Sequence, residues 1–197
     1  MDDLPAREKW NRRYAAGGFT PFPPTPAPWL VENRALLPGG GHALDLACGD
    51  GRNSRYLAER GFSVEALDVS DVAVEALRAA ARAGGLDVRA RVADLEAWQP
   101  PSAGYDVIVN LNYLQRDLFG PLAAALRPGG LIFFETFSEA HVTELGNQFD
   151  PRFLLAPNEL LGAFPTLLVR HYREGVAVRA GRPRGLASLV AQRPAAA

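Results

Sequence analysis

The run Ala43-Leu44-Asp45-Leu46-Ala47-Cys48-Gly49-Asp50-Gly51-Arg52-Asn53-Ser54 constrains this chain more than any other. Its apolar opening, Ala43 to Ala47, predicts a buried strand. Gly49 and Gly51, which lack a Cβ, let the backbone turn sharply and lie close against a ligand. A helix is predicted to follow, running towards Leu57 and Glu59. Its first turn presents unpaired N–H groups and a partial positive charge to whatever sits above it. Strand, glycine turn and helix together are the first half of a nucleotide-binding crevice in a doubly wound sheet. A lone Gly-x-Gly is a common turn, so the assignment rests on what surrounds it.

Acids surround it. Asp45 lies within an apolar strand, where an isolated carboxylate is costly unless something hydrogen-bonds it. Asp68 closes a second apolar strand, Phe62 to Asp68, about 20 residues after the turn, where such architectures place the carboxylate that meets the ribose hydroxyls. A third predicted strand, Val88 to Leu95, carries Asp94 near its end.

These features resemble the class I S-adenosylmethionine-dependent methyltransferases. Leu44 to Gly51 resembles that family's first motif and Val64 to Ser70 its second. Ala93-Asp94-Leu95 resembles the adenine-contacting motif and Tyr105 to Tyr113 the fourth-strand motif. Leu126-Arg127-Pro128-Gly129-Gly130 resembles the turn before strand five. The resemblance covers roughly residues 40 to 140. It implies a doubly wound, Rossmann-like, seven-stranded α/β sheet, mostly parallel with an antiparallel C-terminal hairpin strand, plus N-terminal lid helices. It also implies S-adenosyl-L-methionine as cofactor and a set of cofactor-binding residues. Gly49 and Gly51 admit the methionyl part, and Asp45 orients the loop. Asp68 holds the ribose, Asp94 the adenine amino group, and Val69 and Leu95 sandwich the ring. Asn110 offers its carbonyl to the amino group, and Asn53 is a further contact or an ordinary helix cap. The N-terminal Trp10, Arg13 and Tyr14 resemble the Trp-x-x-basic-aromatic pattern of the tellurite-resistance and thiopurine branches, which implies a lid; plain packing of two aromatics is the alternative reading.

The 197 residues fit one methyltransferase domain. Within it, residues 1–37 are expected to form lid or cap helices, 40–140 the cofactor-binding core, and 141–193 the substrate side with a closing hairpin. A formal net charge of −1, with basic residues almost all Arg, gives no reason to expect nucleic acid as partner. One cysteine excludes an internal disulfide. The acidic start, Met1-Asp2-Asp3, is followed by no apolar run, so neither signal peptide nor membrane span is expected and the cytoplasm is the default. Oligomeric state is not legible.

Taken in order, residues 5–16 predict a helix ended by Gly17-Gly18, and Thr20 to Pro28 a stiff proline-rich connector. Trp29 to Leu37 predicts a short helix. Ser70 caps a helix running through Arg82 and ended by Gly84-Gly85. Further expectations are a continuous apolar strand from Tyr105 to Asn110, a helix from Arg116 to Leu126 that accommodates Pro121, and a strand from Gly130 to Phe137. Pro157 to Phe164 reads as a helix. Leu167 to Tyr172 and Leu186 to Gln192 read as closing strands joined by a hairpin, Arg173 to Gly185, and Pro194 to Ala197 as a frayed tail.

Methyl transfer from a sulfonium is an in-line displacement on an activated carbon, so positioning and exclusion of water dominate. No general base stands out, and no catalytic residue is assigned; this suits a small-molecule thiol or chalcogen acceptor, which needs none. Asn110-Leu111-Asn112-Tyr113 lacks both prolines of the Asn-Pro-Pro-Tyr motif, which argues against methylation of a base amino group. Asn112, Tyr113 and Gln115 are expected on the substrate side, and Glu135 either faces the substrate or pairs with an arginine. Arg173, Arg179, Arg182 and Arg184 read as a solvated loop, or as neighbours of an anionic acceptor. His42, His141 and His171 show no ligand spacing, so no metal site is expected. Cys48 reads as a small turn residue. Two rival readings are a non-catalytic S-adenosylmethionine-binding protein and an NAD(P)-dependent dehydrogenase. The latter would need a third glycine where Ser54 stands.

Overall fold

The computed structural model describes residues 4–15 and 24–195. The predicted Gly17-Gly18 stop, the first half of the proline-rich connector and the last two tail residues lie outside them. Strands β1 (Gly41–Leu46), β2 (Phe62–Asp68), β3 (Val88–Val92), β4 (Tyr105–Leu111), β5 (Leu126–Phe137), β6 (Leu168–Arg179) and β7 (Arg182–Gln192) form one sheet in the order β3-β2-β1-β4-β5-β7-β6. The first five run parallel; β7 is antiparallel to both neighbours. The order reverses between β1 and β4, the topological switch point at which doubly wound sheets open a crevice beyond the carboxyl ends of their strands.

Alternation along the strands divides the core. Ala43, Val64, Val107, Val109 and Phe133 face Trp29 and Leu30 of α2 (Pro28–Glu32) and Tyr56 and Leu57 of α3 (Arg52–Ala58). Leu44, Leu46, Ile108, Ile132 and Phe134 face Leu122 of α5 (Phe119–Ala125) and Leu160 of α7 (Glu159–Gly162). Val74 and Leu77 of α4 (Asp71–Gly84) cover Ala66 and Ala90. The central strands are therefore apolar on both faces. Helix α1 (Ala6–Ala15) buries no residue fully; it lies against α4 through polar contacts.

Several boundaries differ from expectation, each for a local reason. β1 stops at Leu46 because Ala47 adopts a positive φ of 50° to enter the turn. β3 stops at Val92: it pairs only with β2, and the last partner available is Asp68. Asp94 and Leu95 consequently sit in the following turn, where Asp94 accepts from the Glu96 N–H. The 116–126 helix opens as a 3₁₀ turn over Arg116–Leu118, and Pro121 then falls in the first turn of α5, where its missing N–H is no loss. The helix expected from Pro157 to Phe164 shrinks to α7, whose N-cap Asn158 is left-handed at φ 61°.

The hairpin expected over Arg173–Gly185 is present, but as paired strand rather than as the solvated loop read for its arginines. β6 and β7 pair without interruption from His171↔Val190 to Arg179↔Arg182, turning at Ala180 (φ 50°) and Gly181 (φ 72°). Two successive positive φ values are what a two-residue hairpin of matching twist demands.

Candidate functional site

The carboxyl ends of β1, β2 and β4 gather most of the anticipated residues. Cys48 donates its N–H to Leu67 O and Gly51 to Cys48 O, so the turn is pinned to the end of β2. Asp68, almost fully buried, accepts the Gly49 N–H on Oδ2 and the Ser70 N–H on Oδ1, each at 2.8 Å. Burial raises its pKa, opposed by these backbone bonds. A carboxylate offers about four lone-pair sites, which leaves capacity for two hydroxyl donors. Ser70 also caps α4, accepting from Ala73 N, and donates its hydroxyl to Asn11 of α1.

Asp45 is wholly buried and accepts the Ser54 hydroxyl at 2.6 Å, tying β1 to α3. Burial pushes its pKa up to about 7, against the Ser54 bond and nearby Arg52. Its protonated form is thus favoured more in the folded chain than in the unfolded one. Stability from this group is fully present below about pH 4 and is lost as pH rises to about 7, by about 3–5 kcal/mol. Asp45→Asn is expected to flatten the fall in melting temperature between pH 5 and pH 8. An unchanged slope would reassign the pH dependence to another group.

Asn110, at the end of β4, donates Nδ2–H to Tyr113 O at 3.1 Å. Its Oδ1 is buried and accepts no hydrogen bond. A buried unpartnered acceptor is rare and costs about 1–3 kcal/mol, so an ammonium or N–H donor beside it would be stabilised. Burial, and then Glu96, Asp94 and Asp68, raise the Tyr113 pKa to about 12. Gln115 follows it, accepting its hydroxyl at 2.7 Å. Val69 is half-buried just past the end of β2, whereas Leu95, expected to sandwich the adenine with it, is buried in the hydrophobic core.

Asn53 does not cap α3. That cap is Gly51, without a side-chain bond, and Asn53 Oδ1 instead accepts the Ala27 N–H at 2.9 Å, fixing the segment before α2. Helix α1 reaches the turn from outside. Asn11 and Arg7 bond Asp71, and Tyr14 lies with its hydroxyl 2.4 Å from where a Cβ on Gly49 would stand. Burial, Asp68 and Asp50 raise the Tyr14 pKa. Trp10 and Tyr14 rings are 6.2 Å apart, and the Arg13 guanidinium lies 4.8 Å from the Trp10 ring centroid.

One residue escaped the sequence reading, and another takes the arginine-paired alternative expected for it. Arg52, the first residue of α3, is buried among Asp45, Asp50 and Glu135; burial lowers its pKa and those acids oppose the shift. Its place immediately after the glycine turn was the available signal. Glu135 of β5 is buried and bonded to Arg179 (2.9 Å) and the Ser188 hydroxyl (2.7 Å). Cys48 is buried, and burial with Asp45 raises its thiol pKa well above the ordinary value, which suits a packing role. Among the described residues no group of three His, Cys, Asp or Glu is placed to hold a metal ion, and no helix is long and apolar enough to cross a membrane.

Comparison with known proteins agrees with this geometry. Residues 43–130 match the family model described as a methyltransferase domain. A ubiquinone biosynthesis O-methyltransferase of Idiomarina loihiensis is 33% identical over 116 residues, covering 55% of this chain and 47% of the relative. The chain spans about half the length of the curated relatives it matches. TehB from Haemophilus influenzae superposes with a TM-score of 0.71 at 19% identity, covering 95% of this chain and 66% of that one. A structure described under conversion of a disulfide bond into a thioacetal group during echinomycin biosynthesis superposes at 0.70 with 22% identity, covering 95% and 93%. The seven-stranded sheet is the Rossmann-like methyltransferase fold.

Proposed function

We propose that this chain is an S-adenosylmethionine-dependent methyltransferase that acts on a small molecule. The observation that carries the proposal is the carboxyl edge of the sheet. A pinned glycine turn, a buried Asp68 with open lone pairs and an orphaned Asn110 Oδ1 converge there at the switch point. When bound, the cofactor supplies a methyl group already activated on a sulfonium. Asp68 would accept from the ribose hydroxyls and Asn110 Oδ1 from the amino group, and Asp94 with Val69 and Tyr113 would frame the adenine. Asp45 and Ser54 keep the turn in register. Helix α1, carrying Trp10, Arg13 and Tyr14, closes over the turn and excludes water, which lets positioning dominate the rate.

The acceptor is a nucleophile of low proton affinity: a thiol or chalcogen anion. The titratable groups beside β5 are already engaged, Glu135 by Arg179 and Ser188, and His141 Nδ1 by the Gly185 N–H. A nucleophile that arrives ionised needs no base. An acidic phenolic hydroxyl is the second reading, favoured by the relatives named O-methyltransferases. Calorimetric titration with S-adenosylmethionine, S-adenosylhomocysteine, NADH and NADPH comes first, then turnover of thiophenol, catechol and tellurite. Binding of the adenosyl ligands alone with turnover is expected. Binding of a nicotinamide cofactor instead would overturn the proposal, and binding without turnover would leave a sensor.

A further inference from the structure

The β6–β7 ribbon outruns the sheet. Its last contact with β5 is Phe137↔Leu186, and Val176–Gly185 continue past the carboxyl edge at which the glycine turn and Asp68 lie. A glycine stands on each strand at the point of departure, Gly175 (φ 124°) on β6 and Gly185 on β7. Gly185 is clamped: its N–H bonds His141 Nδ1, its carbonyl accepts the Ser138 N–H, and a Cβ there would lie 2.0 Å from His141 N. The strands beyond that clamp curl back. Ser188 pairs with both Glu135 and Arg173, so in a straight strand the Arg179 backbone would lie about 20 Å along the ribbon from Glu135, farther than one arginine and one glutamate side chain span, yet Arg179 meets that carboxylate at 2.9 Å and Arg173 at 3.8 Å. Glu135 also accepts the Ser188 hydroxyl, and it lies within the electrostatic reach of Arg52 beside the glycine turn. Glu32 of α2 completes the cluster at 3.3 Å from Arg173 and 3.8 Å from Arg179.

We infer that Glu135 and Arg179 form a latch that folds the ribbon tip over the carboxyl edge and makes it the acceptor-side wall of the site. Glu135 is then a positioning residue. Its carboxylate is oriented by Ser188 and held by the Arg179 guanidinium of the ribbon tip. The pair is buried on both sides, with side chains 5% and 9% exposed, so it is screened far less than a surface pair. Opening the latch leaves the cofactor contacts of Asp68 and Asn110 in place and widens the acceptor side alone. The inference rests on the proposed methyl transfer only for its kinetic consequence.

The test uses the full chain with Arg179→Met, Arg179→Lys and the double variant E135Q/R179M. The double variant leaves no buried charge unpaired, so it keeps the test alive should Arg179→Met not fold. Amide hydrogen exchange across residues 176–183, with no ligand added, is expected to quicken by about tenfold or more in Arg179→Met and in the double variant, and by much less in Arg179→Lys. S-adenosylmethionine affinity should stay within about twofold, while KM for thiophenol rises about tenfold with a smaller change in kcat. Unaltered exchange in the ribbon, equal losses of cofactor and acceptor affinity, or an Arg179→Lys variant as impaired as Arg179→Met would overturn the latch. Failure of the parent protein to bind S-adenosylmethionine would instead overturn the proposed function, and the exchange measurement would still decide the latch.

Discussion

Asp68→Ala is expected to weaken S-adenosylmethionine binding by one to two decades and to destabilise the ligand-free protein as well. Losing a charged acceptor for the ribose hydroxyls costs about 1.5–3 kcal/mol, which is about one to two decades in dissociation constant. The same carboxylate already accepts the N–H groups of Gly49 and Ser70. Stranding two buried donors costs about 1–3 kcal/mol each, partly offset because the desolvation that raises the Asp68 pKa disappears with the side chain. A net loss of about 2–4 kcal/mol follows. Calorimetry on the folded variant reads the first effect and the urea midpoint the second. A folded variant with parental affinity would remove the ribose assignment, whatever its stability.

The strand ends that carry these acids were more legible than the ribbon beyond them. Asp68, Gly49 and Asp45 announce themselves because acids at the ends of apolar strands and glycines at strand exits have few other reasons to exist. β2 was readable to the residue, since apolar positions fill it and it is flanked by Gly61 and a Ser cap. The ribbon was not. Gly175, Gly181, Gly185, Pro183 and several arginines give Arg173–Gly185 a loop-like composition, while the strand signal there is a thin alternation of Val176 and Val178, both exposed. Glycines that usually mark a loop here mark a bend and a turn within paired strands. Glu135 was ambiguous for a related reason: its partner depends on how far the ribbon curls, and no spacing in the sequence encodes that. Asn53 resembled a cap by position, but its acceptor is Ala27 N, from a segment brought alongside only by tertiary packing.

The two glycines of the turn should respond differently to the same substitution, and the difference tests the role of α1. Both have positive φ, 57° at Gly49 and 78° at Gly51, so either Gly→Ala change carries a backbone strain of about 1–3 kcal/mol. At Gly51 the new Cβ would lie 2.1 Å from Leu77 Cδ1. Leu77 has no exposure and is packed by Cys48, Ala66, Val74 and Ala90, so nothing beside it can yield. Overpacking adds about 1–3 kcal/mol, and Gly51→Ala is expected to lose about 3–5 kcal/mol in urea unfolding. At Gly49 the obstacle is the Tyr14 hydroxyl at 2.4 Å, the far end of a flexible side chain on a helix that buries no residue fully. There the neighbour can give way. Gly49→Ala is expected to lose only about 1–2 kcal/mol while pushing Tyr14 and α1 off the turn. The displacement should appear as changed Trp10 fluorescence and faster hydrogen exchange across residues 6–15, together with weaker binding of S-adenosylmethionine. If α1 merely packs, Tyr14→Ala, which leaves the turn itself unaltered, will shift the fluorescence and leave cofactor affinity at the parental value. If α1 closes over the bound cofactor, the two will change together.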